Sequence, residues 1–258
     1  MRLAVCEAPA VLLAGDAAWD RLTESVTASA PDIFLLNELP FGSWVSVGRD
    51  PETDALIENH RHHAEGLERL ADLSAPTVLG TYPTIAHSKS VNQAFVWTAD
   101  SGVTPVHTKQ FFPNEHGFFE STWFSRGTQK FGIGEAGRVR VGFLICTDVM
   151  FNEWARHYGR NGAQLIAVPR ATPVGSEHRW KTMCAAAAIV SGCYVASSNR
   201  TGVDESGLEF AGKGWIINPV GDIIAETSPE QPVVTAELDL SLVDKAQGEY
   251  PCYVEELE

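Results

Sequence analysis

The chain has 258 residues, 44% of them hydrophobic and 20% charged, the make-up of an ordinary globular protein long enough to bury a full core. Its formal net charge of −14 argues against nucleic acid or an anionic membrane surface as partner, because both require a positive face. The five cysteines, Cys6, Cys146, Cys184, Cys193 and Cys252, are scattered without a CxxC pair, which argues against a disulfide framework or a zinc knuckle.

Leu3 to Cys6 is a short apolar run suited to a first strand. Asp20 to Thr27 follows as a helix, with Trp19, Leu22 and Val26 at helical spacing, and Pro31-Asp32 ends it. Ile33 to Leu36 reads as a strand buried on both faces and runs into Asn37-Glu38-Leu39-Pro40. Apolar positions keep helical spacing from Glu52 to Leu73, and Thr77 to Tyr82 and Asn92 to Trp97 are strands. Ser101-Gly102 then turns the chain towards Val106 and Lys109. Val139, Val141, Phe143 and Ile145 alternate into an apolar run that stops at Cys146, where Thr147-Asp148 is suited to cap a helix carrying Trp154, Ala155 and Tyr158. Gln164 to Pro169 is another buried strand, His178 to Ser191 a helix of small residues, and Cys193 to Ser198, Gly214 to Ile217 and Val233 to Leu238 are the closing strands. The tail from Ala246 to Glu258 lacks periodicity. No linker or repeat divides this order, so the expectation is a single domain over residues 1–258 in which two sheets pack together with helices outside, a layered α/β sandwich. The first residues lack a signal-length apolar stretch and no run reaches membrane-spanning length, so a cytoplasmic protein is expected.

Cys146 lies where a strand gives way to a turn, close to backbone N–H groups that favour a thiolate and hold a developing oxyanion. Taken alone it reads more readily as a small apolar filler, as buried cysteines often are. Glu38 ends an apolar strand, a setting that raises a carboxyl pKa and makes a general base; read alone it is a solvated loop residue. Lys109 is a cation among Val106, Phe111 and Phe112. Strand ends gather on one rim of an α/β sheet, and base, cation and thiol together form a complete acyl-transfer set. His60, His62 and His63 do not share one helix face and have no acidic co-ligand, so a solvated face is expected there and no metal is assigned. Asp148, Glu153 and Arg156 are expected to pair as buried support behind the nucleophile. Arg170, after Val168-Pro169, either reaches the pocket mouth to meet a substrate carboxylate or carbonyl, or forms a salt bridge elsewhere.

Five stretches together resemble the nitrilase superfamily of carbon–nitrogen hydrolases. They are Phe34 to Pro40, Lys109 with Pro113, Gly142 to Asp148 with Glu153, Gly162 to Pro169, and Gly192 to Arg200. The resemblance runs in order along nearly the whole chain. It implies an α-β-β-α sandwich and a Glu-Lys-Cys triad, with Glu38 as general base, Lys109 stabilising the tetrahedral intermediate, Cys146 as nucleophile and the Thr147 N–H completing the oxyanion hole. A second glutamate is also implied; Glu120, before Ser-Thr-Trp-Phe-Ser-Arg-Gly, is preferred and Glu115 stays open. The implied activity is hydrolysis of a small amide to acid and ammonia without a cofactor. The superfamily's nitrile-cleaving members tend to carry Trp-Glu where this chain has Thr147-Asp148, so the likeness leans to an amidase. N-carbamoyl hydrolysis is the nearest alternative, with a nitrilase or a non-catalytic scaffold behind it. The resemblance also implies a homodimer, with the tail lying across the partner.

Overall fold

The computed structural model describes residues 1–255 apart from His87 and Gln129. Its first half holds β1 (Arg2–Pro9), α1 (Ala17–Ser29), β2 (Ile33–Leu35), α2 (Thr53–Glu68), β3 (Thr77–Ala86), β4 (Lys89–Thr98) and β5 (Gly102–Thr108). A short α3 (Glu120–Trp123) precedes β6 (Ile133–Ala136), β7 (Val139–Phe143), α4 (Glu153–Arg160), β8 (Leu165–Pro169), α5 (Glu177–Ser191) and β9 (Tyr194–Val203). Then come β10 (Glu209–Ala211), β11 (Trp215–Ile217), β12 (Ile223–Glu226), β13 (Val233–Glu237) and α6 (Leu240–Gln247).

The strands connect in the order β5-β4-β3-β2-β1-β9-β8-β7-β6. β1 joins the two halves. Its Leu3, Ala4 and Val5 pair in parallel with β2, while Glu7, Ala8 and Pro9 pair in parallel with β9. The path then folds over, so that β5 packs against β6 and β7. Helices α1 and α2 cover the first half and α5 covers the second, with α4 packed beside it, giving the expected α-β-β-α order.

Alternating residues of single strands show why those strands read as continuous apolar runs. Leu3, Val5, Ile33 and Leu35 belong to the core shared with Val141, Phe143, Leu165 and Ala167 of the second half. Their neighbours Ala4, Cys6, Phe34 and Leu36 pack outward against Trp19, Leu22 and Val26 of α1. Both faces of the sheet are dry, and each large side chain so buried contributes about 1.5–3 kcal/mol. Asp16 starts α1 by accepting hydrogen bonds from the backbone N–H of Ala18 (2.9 Å) and Trp19 (2.7 Å). On the nucleophile strand, Gly142 lets the Tyr158 ring approach: a Cβ there would lie 2.5 Å from the ring. The same tyrosine donates its hydroxyl to the Phe143 carbonyl at 2.8 Å, fastening α4 to β7.

Several expectations need correction. The helix expected to reach Leu73 ends at Glu68, and Leu70–Leu73 is a separate 3-10 turn. Five elements were not anticipated: α3, β6, β10, β12 and α6. β10 has three residues, β6 and β12 four each, and α6 follows the last strand without a long apolar stripe. The tail does pack on its own chain. Arg156 of α4 donates to the Pro251 carbonyl at 3.3 Å and to the Val254 carbonyl, and the Cys252 thiol lies 3.5 Å from the Ile189 carbonyl. These contacts use main-chain carbonyls and so need no side-chain periodicity; residues 256–258 lie outside the described residues.

Candidate active site

Glu38, Lys109, Glu120 and Cys146 come from four separate segments and meet in one buried cluster. Glu38 leaves the end of β2, its N–H donating to the Arg170 carbonyl at 3.2 Å. The next residue, Leu39, takes a left-handed φ of 43° and donates its N–H to the Thr81 hydroxyl at 2.7 Å. Lys109 follows β5, with its N–H on the Asn92 carbonyl at 2.9 Å. Glu120 opens α3. All three side chains are at most 1% exposed.

The ammonium of Lys109 bridges the two carboxylates, 2.7 Å from Glu38 Oε1 and 2.6 Å from Glu120 Oε2. Asn92 Nδ2 donates to Glu38 Oε1 at 2.9 Å. Glu38 Oε2, by contrast, is buried without a partner. Burial opposes the charge on Lys109, but Glu120 and Glu38 outweigh it and hold the ammonium above the usual lysine range. Burial pushes the Glu120 carboxyl up to about 8 against the pull of Lys109. One cation between two carboxyls leaves a surplus negative charge, which adds to the upward push on Glu120.

Cys146 is 4% exposed and adopts φ 47°, a left-handed conformation that costs a non-glycine residue about 1–3 kcal/mol. Burial drives its thiol well above the ordinary cysteine value; the charge of Glu38 adds to this, while Lys109 pulls the other way. Burial and the Glu38 charge together thus oppose formation of the thiolate.

The helix expected directly after Cys146 is instead a 3-10 turn, Cys146–Met150, and α4 begins only at Glu153. Asp148 explains the difference, because its carboxylate turns inward. Oδ1 accepts from the N–H of Gln110 (3.2 Å) and Phe111 (3.0 Å), and Oδ2 from the N–H of Ile145 (3.2 Å). His107 Nε2 lies 2.9 Å from Oδ2, while its Nδ1 accepts the Phe131 N–H at 2.8 Å, so Nε2 carries the proton. One carboxylate thus ties the residues after Lys109 to the residue before Cys146. Glu153 is exposed and Arg156 is directed to the tail carbonyls, so the support expected from these three comes from Asp148 with His107.

Other expected residues fall elsewhere. Glu115 sits in an exposed turn bridged to Phe118, away from Lys109. Thr147 is half-buried in the 3-10 turn. Arg170 is fully buried: it donates to Ser197 Oγ (2.7 Å), Thr172 Oγ1 (2.8 Å) and the Lys213 carbonyl (2.6 Å), and stacks 3.9 Å from the Trp215 ring. Of the histidine run, His63 is not solvated. Its Nδ1 lies 2.8 Å from the Asn59 carbonyl and its Nε2 accepts the Phe41 N–H at 3.4 Å, and burial lowers its pKa to about 3. Among the described residues no group of three His, Cys, Asp or Glu is placed to hold a metal. Sequence reasoning missed Asn92 and His107. A polar residue opening the apolar run Ala94-Phe95-Val96-Trp97, and a histidine two residues before Lys109, were the available signals.

The carbon–nitrogen hydrolase family model matches residues 18–247. The chain is 34% identical over 134 residues to a 2-oxoglutaramate amidase of Bacillus subtilis, a match covering 52% of this chain and 51% of that one, so it spans about half the length of that relative. It is 24% identical over 246 residues to an N-carbamoylputrescine amidase of Arabidopsis thaliana, covering 88% and 82% of the two chains. In fold it is similar to a carbon–nitrogen hydrolase from Helicobacter pylori G27, with a TM-score of 0.83, 19% identity, and 98% and 94% of the two chains covered.

Proposed function

The chain belongs to the carbon–nitrogen hydrolase family, and on that footing we propose that it is a cysteine amidohydrolase that releases ammonia from a small carboxylic amide through a thioester. The observation that carries this reading is the unpartnered Glu38 Oε2. A buried acceptor left empty costs about 1–3 kcal/mol, and the thiol proton of Cys146 is the donor the reaction supplies. Asn92 and Lys109 occupy Oε1, which leaves Oε2 to work as the base.

In this scheme Glu38 takes the thiol proton as sulfur attacks the amide carbon, so a poorly ionised thiol becomes a nucleophile only when substrate is present. Lys109 has three N–H donors and spends two on carboxylates; the third faces the developing oxyanion together with the Thr147 N–H. Glu38 passes its proton to the departing nitrogen and ammonia leaves. It then takes a proton from water, whose oxygen attacks the thioester, and returns that proton to sulfur as the acid departs. Glu120 holds the Lys109 ammonium in place. Every step uses side chains of this chain, and no cofactor enters.

The same reading carries a homodimer. Ile189 on α5 lies beside Gly221 and is exposed, as are Val220, Ile223 and Ile224 of the following hairpin, apolar side chains that a partner would cover. A stable monomer in light scattering at micromolar concentration would refute the pairing. Ammonia release from a panel of ω-amides, N-carbamoyl amines and nitriles tests the activity. Turnover of amides identifies an amidase, and turnover of carbamoyl compounds alone would replace it with the neighbouring activity. Turnover of nitriles alone, or of nothing in the panel, would refute both.

A further inference from the structure

Strand β8 ends at Pro169, but the chain stays beside β9 as far as Thr172. The Arg170 N–H donates to the Ser198 carbonyl at 2.9 Å, and the Thr172 N–H to Asn199 Oδ1 at 2.9 Å. Ala171, buried between them, turns its N–H elsewhere: it hydrogen-bonds the Cys146 sulfur and favours the thiolate against the effect of burial. The carbonyl of the same peptide, that of Arg170, accepts the Glu38 N–H at 3.2 Å. A trans peptide is rigid and carries its C=O and N–H on opposite edges. One plane therefore stands between the backbone of the proposed base and the sulfur of the proposed nucleophile.

The Arg170 side chain fastens that plane from three directions. Nε reaches Ser197 on β9, Nη1 reaches Thr172 just past the plane, and Nη2 reaches the Lys213 carbonyl in the loop before β11. Ser197 in turn donates its hydroxyl to the Val168 carbonyl at 2.6 Å, closing the link back to β8. All of these acceptors are neutral. Burial lowers the pKa of the guanidinium only to about 10, so its charge persists at neutral pH. A buried cation held by neutral oxygens costs more than an apolar side chain of the same volume, and the Trp215 face offsets only part of that. Filling space does not call for such a group. Fixing a main-chain segment in three directions does, because a planar fork of donors is pre-organised for it.

We propose that Arg170 is a positioning residue for the reaction: anchored through its guanidinium, the Arg170–Ala171 peptide holds Glu38 and the Cys146 sulfur at the separation that proton transfer needs. The inference rests on the amidase reading for the roles of Glu38 and Cys146. Asp148 ties the Cys146 turn to the segment of Lys109, and the Arg170–Ala171 peptide ties it to the segment of Glu38.

Iodoacetamide labelling of Cys146, followed on its own peptide by mass spectrometry, reads the sulfur without requiring turnover. Arg170→Lys keeps the charge and loses the fork. Ser197→Ala combined with Thr172→Val keeps Arg170 and removes two of its three anchors. Loss of one hydrogen bond to a charged group is worth roughly tenfold. Each variant that still melts cooperatively should label about ten times more slowly than the parent at pH 8, and at pH 9 should label about as the parent does at pH 8. On an amide substrate kcat should fall by a similar factor while KM moves little. A role in packing alone would lower the Tm and leave the labelling profile in place. Parent-like labelling in either folded variant would overturn the proposal, and the double variant decides it should Arg170→Lys not fold. A parent that labels at Cys146 yet releases ammonia from no amide would remove the amidase reading, while the labelling comparison still decides the role of Arg170.

Discussion

Asp148→Asn is the sharpest structural perturbation available without touching the reacting groups. The carboxylate is fully buried and accepts hydrogen bonds from Gln110, Phe111, Ile145 and His107. Asparagine keeps the shape but turns one acceptor into an N–H₂ group. That group then faces either the Gln110 and Phe111 N–H pair or the Ile145 and His107 pair, donor against donor. Breaking one partner of a buried charged network costs about 3–5 kcal/mol. At roughly 2–4 °C per kcal/mol for a chain of this size, the Tm should fall by about 6–20 °C. Calorimetry or circular dichroism melting reads it directly, and His107→Gln, which disturbs a single donor, should fall less. Because Asp148 fixes the spacing of Lys109 and Cys146, kcat should also drop while KM moves little. A Tm within about 2 °C of the parent would refute the network as described.

Cys146→Ala should keep its fold and release no ammonia, and substantial residual turnover would remove Cys146 as nucleophile. Glu38→Gln and Lys109→Ala should each cost on the order of 10³ in kcat, and Glu38→Gln added to Cys146→Ala little more; additive losses would separate the residues into different sites. Burial pushes the Cys6 thiol up to about 12 from its ordinary value near 9, so its contribution to stability is complete below pH 9 and is lost as the pH climbs towards 12. Urea denaturation should register a loss of roughly 2 kcal/mol from this group between pH 8.5 and 10.5, and Cys6→Ala should flatten that slope. Dialysis against EDTA should leave ammonia release unchanged; activity lost and then restored by zinc would displace the thiol mechanism.

What the sequence made legible was burial and strand order. Leu3 to Cys6 and Ile33 to Leu36 read as buried on both faces because alternate residues face two different cores. Glu38, Lys109 and Cys146 were singled out at strand ends and Glu120 through the family resemblance alone, and the fold brings the four into one buried cluster. Arg170 was not: a guanidinium after a strand looks the same in one dimension whether it opens to a pocket or is used up by Ser197, Thr172 and Lys213. The same limit hid the partners of Asp148, since Gln110, Phe111 and His107 stand about 40 residues away, at separations of 38, 37 and 41. Asn92 escaped notice because a polar residue inside a dry sheet is meaningful only once the carboxylate it serves is in view.

β1 also determines when this chain is able to finish folding. It is made long before two of its partners, Asn199 to Thr201 and Val233 to Glu237. During synthesis, most of the chain must leave the ribosome before that strand acquires both flanking partners, and until then its apolar edge stands open. Closing contacts at separations of nearly the full chain length carries a large loop entropy and slows maturation. Expression at low temperature, or with holdase chaperones covering the open edge, should therefore raise the soluble yield more than any change to the surface charge.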